Sequence, residues 1–445
     1  MANTIENGTP SAVTPTRVAV ASMIGTIMEW YDFFLYGFVA ALVFGPLFFP
    51  AFSATTGTIA AFATLAVGFV ARPLGGVIFG HFGDRIGRKT MLITSLSIMG
   101  AATFGIGLLP TYETAGILAP ILLTACRFFQ GIALGGEWGG AVLMAVEYAP
   151  DKRRGFFGSI VQSGATIGLA LATTVLFICS YMLPQEEFIA WGWRVPFLIS
   201  IVMLVSGLYI RLKVTETPAF KKLRESGEIA KFPLKDVLRD HYKEIYHTAA
   251  IYLGSITVPF YTVWVFLIYY GTNVLKVDRS DLLLGVVVVN TILSLAILGA
   301  GKLSDKLGRR FVFFCGFTLL AVMAFPFFWV ADLAETKWLW LAMVMLSFPL
   351  WAMWGAMPAF FCELFPEKLR YTGISLGSQA GTIIGGLVPM FATAVLEDYG
   401  TWPISALIAV TACLGLWSAF CVSSKSAVER RFAQAAETNR FASQS

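Results

Sequence analysis

Stretches of about twenty apolar residues, separated by short polar connections, recur along the whole chain. They run over residues 17–48, 57–80, 90–110, 117–148, 155–183, 195–212, 247–275, 281–301, 311–331, 337–363, 371–396 and 402–424. Each is long enough to cross a hydrocarbon layer about 30 Å thick. Inside lipid a segment must satisfy its own backbone polar groups, so the twelve runs predict twelve helices. Residues 214–246 form the one long hydrophilic interruption, and its charge pattern suggests short helices lying at a membrane face. It divides the chain into a first bundle over 1–213, a linker over 214–246, and a second bundle over 247–445 that ends in a polar tail.

Composition agrees with this pattern. Of 445 residues, 57% are hydrophobic and 13% charged. A soluble chain carries about 25% charged residues. The first sixteen residues are polar and the first apolar run is too long for a signal core, which argues against a secretory leader. Lys and Arg set the orientation. Alternate connections and both termini hold 26 of the 32 basic residues, the opposite connections hold four, and Arg72 and Arg127 lie inside spans. Both termini are therefore expected in the cytoplasm. Topology accounts for the net charge of +5, so no nucleic-acid partner is implied. The six cysteines sit singly in apolar runs without CxxC spacing, which suggests neither disulfides nor a metal site. The three histidines, His81, His241 and His247, fall in predicted polar connections.

The two halves echo each other. GHFGDRIGRK over 80–89 follows the second span, and GKLSDKLGRR over 301–310 follows the eighth. EYAPDKRR over 147–154 follows the fourth, and ELFPEKLR over 363–370 follows the tenth, at nearly the same offset. Gln162 and Gln379 then occupy comparable places. Duplicated halves around a midplane site are a transporter architecture.

The repeated G-x-x-x-D-[RK]-x-G-R-[RK] pattern resembles the signature of the major facilitator superfamily, and the resemblance covers essentially the whole chain. EWYDFFLYG (29–37), the run from Phe69 to Lys89, RFFQGIALGGEWGGA (127–141) and WGWRVPF (191–197) look like the metabolite:H+ symporter family. That group includes bacterial permeases for 2-oxoglutarate, citrate, shikimate and proline/betaine. The resemblance implies an all-helical integral membrane fold of two pseudo-symmetric six-helix bundles, in the bacterial inner membrane and working as a monomer. It implies that Asp84 lies near the start of helix 11, around Tyr371, and that Asp305 lies near the start of helix 5, around Gly155. Arg85, Arg88, Arg309 and Arg310 would pair with Glu147 and Glu363. With Arg370, these residues would form a cytoplasmic gate.

Five charges lie at mid-span: Glu29, Asp32, Arg72, Arg127 and Glu137. Each costs at least about 2.5–3.5 kcal/mol on insertion scales and needs a reason to be there. At about 1.5 Å per residue, Asp32 and Arg127 share one depth, and Glu137 and Arg72 a lower one. The pairs expected are Asp32 with Arg127 and Glu137 with Arg72. Three carboxylates then face two guanidiniums. A carboxylate without a counter-ion in a nonpolar surrounding is more stable protonated. Proton coupling is therefore expected from Asp32, Glu29, Arg127 and Glu137. An anionic substrate held by Arg72 or Arg127 would compete with the resident carboxylate and favour its protonation. The resemblance supports Asp32 and Arg127, which match a coupled Asp and Arg of the superfamily's sugar porters, and Arg72, which matches an activity-linked Arg of the 2-oxoglutarate permeases. Gln162, Tyr261, Trp264, Asn290, Trp354 and Gln379 are further candidates to line the cavity. Glycines at four-residue spacing predict that helices 2 and 11 pack closely and slide or rock on each other.

The expected activity is proton-coupled symport of a small organic acid or zwitterion by alternating access, with the proton gradient as energy source and no cofactor. A drug/H+ antiporter and a sugar porter of the same fold are the alternatives. A membrane enzyme is disfavoured because no metal-ligand cluster or Ser-His-Asp set is visible, and a P-loop is absent. A sensor would need an output domain that neither terminus is long enough to hold.

Overall fold

The computed structural model describes residues 14–422. Within them the chain is helical without strands, and twelve helices are long and apolar enough to span a membrane. They are α1 (Pro15–Val39), α2 (Ala54–Ile86), α3 (Arg88–Leu108), α4 (Leu118–Tyr148), α5 (Arg154–Met182) and α6 (Arg194–Lys213). After the linker come α7 (Tyr242–Val274), α8 (Arg279–Leu307), α9 (Arg309–Ala331), α10 (Thr336–Cys362), α11 (Glu367–Tyr399) and α12 (Trp402–Val422). The linker forms short helices, Pro218–Glu225 and Pro233–Asp240. The basic residues after 424 lie outside the described residues.

Inside each half, α1 packs on α5, α2 on α4, and α3 on both α4 and α6; in the second half α7 packs on α11, α8 on α10, and α9 on both α10 and α12. The halves meet mainly through α2 against α11 and α5 against α8, contacts that the repeat maps onto each other. The helices α1, α4, α7 and α10 are the most buried and surround the centre.

The repeated basic motif is less of a loop than its polarity suggests. α2 runs on to Ile86 and α3 starts at Arg88, so Gly87 alone makes the turn, at φ 128°. Gly308 does the same between α8 and α9, at φ 92°. Only glycine adopts such angles at little cost. Asp84 and Asp305 are thereby held on the last helical turn rather than on a mobile connection. The histidines also differ from expectation: His81 lies on α2 and His247 on α7.

The glycine stripes divide their partners. On α2, Gly76 and Gly80 face Ser375 and Thr372 of α11, as expected of that contact. Gly68 and Gly75 instead face Arg127 and Ile132 of α4. On α11, Gly377 and Gly381 face Thr248 and Ala249 of α7, and Gly385 faces Tyr261, so these glycines serve packing within the second half and not the contact with α2. α7 departs from regular helix in three π-type stretches, Leu253–Thr257, Thr262–Phe266 and Tyr270–Val274, around Pro259. Such stretches accompany functional sites in helices.

A methyl on Gly75 would lie 1.9 Å from the Ile132 carbonyl oxygen, whereas one on Gly37 would meet nothing within 4 Å. Gly75→Ala should therefore lower stability by about 1–3 kcal/mol, and Gly37→Ala should raise it by up to about 0.5–1 kcal/mol, since alanine is the better helix former. Thermal unfolding in detergent would check both.

Candidate functional site

A cavity of about 40 Å³ lies between the halves. It is bordered by Glu29, Trp30 and Phe33 of α1, Arg72 of α2 and Trp138 of α4. The second half contributes Tyr252, Ile256, Thr257, Phe260 and Tyr261 of α7, Trp354 of α10 and Thr382 of α11. It has room for roughly three water molecules, so the conformation is closed around it.

Glu29 Oε1 stands 3.8 Å from Arg72 Nη2 at the cavity wall. Glu29 Oε2 has no hydrogen-bond partner among the described residues. The Arg72 guanidinium also lies 5.0 Å from the Phe69 ring centre. Glu29 and Asp32, three residues apart, look different ways. Thr103 of α3 donates to Asp32 Oδ2, and Asp32 Oδ1 has no partner among the described residues. Arg127 donates to Gln130 Oε1 at 3.0 Å and lies 4.3 Å from the centre of the Tyr36 ring. Gln130 in turn donates to Thr103 at 2.8 Å. The expected Asp32–Arg127 ion pair is therefore replaced by a chain through Thr103 and Gln130, neither of which was anticipated. Short polar residues on an apolar helix carry little signal of their own.

The expected pairing of Glu137 with Arg72 is also corrected. Arg211 forms a two-pronged pair with Glu137, joining Oε1 and, at 3.1 Å, Oε2. Ser95 donates to the same Oε2 at 2.5 Å, and Arg211 also donates to the Leu92 carbonyl at 2.5 Å. The azimuth differs from that expectation. Gly135 touches the backbone of Arg72, and Glu137, two residues on, is about 200° further round the helix. Gly25 makes room for this pair, since a methyl there would overlap Arg211 Nη2 and Glu137 Oε1. Arg211 belongs by sequence to the basic connection after α6, yet its residue is 4% exposed. With it, three carboxylates meet three guanidiniums, and the predicted deficit of positive charge disappears.

Below the cavity, towards the face that carries most basic residues, Trp138 and Trp354 stack at 5.9 Å. Gln162 fastens them: Trp138 Nε1 donates to its Oε1 at 2.9 Å, and its Nε2 donates to the Trp354 carbonyl at 3.2 Å. Towards the opposite face, rings meet across the halves, Trp30 with Phe260 at 5.5 Å and Phe69 with Tyr261 at 6.2 Å. Of the expected lining residues, Tyr261, Trp354 and Arg72 border the cavity, whereas Arg127, Gln162, Trp264, Asn290 and Gln379 do not. Trp264 and Asn290 are buried elsewhere in the second half, and Gln379 packs its chain against Gly76. Trp30, Phe33, Trp138, Tyr252 and Phe260 were missed, because aromatic residues in apolar helices are usually packing.

At the basic face the two Asp residues cap helices of the opposite half. Asp84 accepts from Tyr371 N at 3.3 Å and from Thr372 N and Oγ1 at 2.9 Å. Asp305 accepts from Gly155 N at 2.7 Å and Phe156 N at 2.8 Å. A carboxylate there meets the positive end of the helix. Arg88 lies 3.4 Å from Asp84 and 3.9 Å from Glu147, and donates to the Glu367 carbonyl at 2.8 Å. Arg370 crosses the halves to Glu147 at 3.2 Å, and Arg309 pairs with Glu363 at 2.9 Å. Arg85 is exposed and lies 3.5 Å from His81. Tyr371, expected only as the place where Asp84 meets α11, is fully buried between α2 and α4, where methyls on Gly83 and Gly140 would overlap its ring and hydroxyl, and it donates to the Gly136 carbonyl at 2.9 Å. The linker leans on this layer. Glu216 accepts from Lys89 N at 3.1 Å, and the Phe220 ring lies under Arg88 at 4.7 Å.

Two pseudo-symmetric bundles that close on a ring-lined cavity holding one ion pair define a multi-pass membrane transporter. The chain belongs to the major facilitator superfamily, whose model matches residues 22–390 and 298–439. It is 39% identical to the shikimate transporter of Escherichia coli over 414 residues, 92% of this chain and 94% of that one. It is also 39% identical to an inner membrane metabolite transport protein of Escherichia coli, over 90% of this chain and 92% of that one. It is 33% identical to a proline/betaine transporter of Salmonella typhimurium, over 86% and 78%. Among solved structures it shares the fold of the proton:xylose symporter XylE, with a TM-score of 0.75 at 16% identity over 92% of this chain and 95% of that one.

Arg211→Met would leave the Glu137 carboxyl without its counter-ion in the protein interior. It should lower stability by about 3–5 kcal/mol. Adding Glu137→Gln should recover a large part of the loss. Thermal unfolding of the single and double variants in detergent would check this, and equal loss in both would contradict it.

Proposed function

We propose that the protein takes up a small carboxylate-bearing metabolite together with protons, by alternating access and as a monomer, driven by the proton gradient without a cofactor. The observation that carries this is the Glu29–Arg72 pair on the cavity wall, with one Glu29 oxygen unmet. A substrate carboxylate can take Arg72 by two parallel hydrogen bonds, which a guanidinium is built to offer. Glu29 then loses its counter-ion in a ring-lined cavity, where the neutral form is favoured. Substrate and proton thus bind with positive coupling, which is the thermodynamic requirement for symport. The relatives named for shikimate and proline/betaine, both carboxylate-bearing, support this class.

Geometry gives the other buried acids different parts. Glu137 is held by Arg211 and Ser95 within the first half and takes a structural part. Asp32 lies behind the wall and reports to Arg127 through Thr103 and Gln130, which makes it a second carboxylate that responds to the site indirectly. Uptake into proteoliposomes would separate these parts. Glu29→Gln should abolish uphill accumulation under an imposed pH gradient while keeping substrate exchange within about tenfold of the unmodified protein. Uphill accumulation by Glu29→Gln would overturn the reading, and its loss in Asp32→Asn alone would move the coupling site there.

By the distribution of Lys and Arg, the face closed by Asp84 and Asp305 is cytoplasmic. Asp84, Arg88, Glu147, Asp305, Arg309, Glu363, Arg370 and Tyr371 form the gate there, with Arg85 at its rim. A hydrogen bond to a carboxylate contributes about 1.5–3 kcal/mol, and one to a neutral carbonyl, such as that of Tyr371 to Gly136, about 0.5–1.5 kcal/mol. Asp84→Asn should therefore shift the balance towards the inward-open state about tenfold, and Tyr371→Phe a few fold. Asp84→Asn and Tyr371→Phe should each raise maleimide labelling of a Ser375→Cys reporter in a variant without other cysteines. Labelling that stays at the background rate in both would rule out the gate.

A further inference from the structure

We infer that the substrate carries a single ionised carboxylate, and that its other end is a hydrogen-bond donor or a soft cation resting on aromatic rings. Dicarboxylates and tricarboxylates are thereby excluded. The inference rests on the reading of the Arg72 cavity as the transport site, and it comes from the inventory of groups around that cavity.

Arg72 is the one cation among the described residues that border it, and Glu29 the one anion. The other deep arginine of this region, Arg127, turns its guanidinium to the Tyr36 ring and Gln130 and is 2% exposed. A second substrate carboxylate would find no guanidinium. It would face the rings of Trp30, Tyr252, Phe260 and Trp354, and ring faces carry negative potential that repels an anion.

The neutral polar groups point the same way. Thr257 donates its hydroxyl hydrogen to the Gly381 carbonyl at 2.9 Å, and Thr382 donates to the Ser378 carbonyl at 2.9 Å. Trp138 Nε1 donates to Gln162 Oε1 at 2.9 Å, and Trp354 Nε1 to the Gln162 carbonyl at 3.3 Å. These donors are spent inside the protein, so the threonine oxygens present lone pairs to the cavity. Trp30 Nε1 has no partner among the described residues and offers a neutral N–H, and Tyr252 and Tyr261, each with a hydroxyl, border the cavity as well. Neutral donors orient a carboxylate but do not balance its charge. Lone pairs and ring faces suit hydroxyl hydrogens or an alkylated ammonium, which ring faces attract.

Charge balance agrees. A monocarboxylate on Arg72 with Glu29 protonated leaves the cavity neutral. A dicarboxylate leaves one desolvated negative charge, which should weaken binding about 100-fold. The test is binding to the full-length protein in nanodiscs without a pH gradient, followed by tryptophan fluorescence. Shikimate, glycine betaine, proline and cyclohexanecarboxylate would be compared with succinate, 2-oxoglutarate and citrate. At least one monocarboxylate should bind about 100-fold more tightly than every member of the second group. Its methyl ester should fail to bind, and Arg72→Met should lose the preference. A dicarboxylate binding as tightly as the best monocarboxylate, or no monocarboxylate binding at all, overturns the inference. Parallel uptake assays keep the two readings apart. A monocarboxylate that binds and crosses without proton coupling leaves this inference standing and removes the symport mechanism. A dicarboxylate carried with protons does the reverse.

Discussion

A charge placed in a membrane interior has to be answered by its neighbours, because no water is there to do it. In this protein each answer is different, and the differences define the parts of the machine. Glu137 is answered completely, by Arg211 and Ser95 within one half. Glu29 is answered loosely, by Arg72 at 3.8 Å, on the wall of the cavity between the halves. Asp84 and Asp305 are answered by backbone N–H groups that belong to the opposite half. The first pair is enclosed within one half, the second borders the cavity, and the last two join the halves.

The two closures of the cavity are built from different forces. On the basic side, carboxylate-capped helices, ion pairs and the buried Tyr371 lie beneath the Trp138–Trp354 stack. On the other side the contacts between halves described above are ring against ring, Trp30 with Phe260 and Phe69 with Tyr261. Ring contacts contribute about 0.5–1.5 kcal/mol each beyond their buried area, and they re-form in shifted positions. Directional bonds to helix ends are made or lost as a unit. The linker, which caps α3 through Glu216 and underlies Arg88 with Phe220, ties the chain between the halves to the basic side.

Much of the architecture was legible in the chain. Twelve apolar runs, the 33-residue polar divider and the duplicated motifs specify the number of spans and the repeat, because hydrophobic length and backbone satisfaction are properties of a segment alone. The places of Asp84 and Asp305 followed from the repeat and the resemblance together, and the structure puts both carboxylates on the expected helix ends. Spacing along a helix was legible too, since rise per residue is constant.

Rotation about the helix axis was not. Whether Glu137 faces Arg72 or Arg211 depends on about 200° of azimuth, which is set by how neighbouring helices pack. Apolar patterning gives little guidance to that angle when lipid and core are equally apolar. For the same reason Arg211 read as a surface charge, Thr103 and Gln130 passed unnoticed, and the ring-lined cavity could not be told from ordinary packing. The sequence by itself determined which segments are long and apolar enough to span a membrane, because burial length and charge cost act locally along the chain. Only the tertiary structure decided which of them meet, because pairing between helices depends on their mutual rotation and approach.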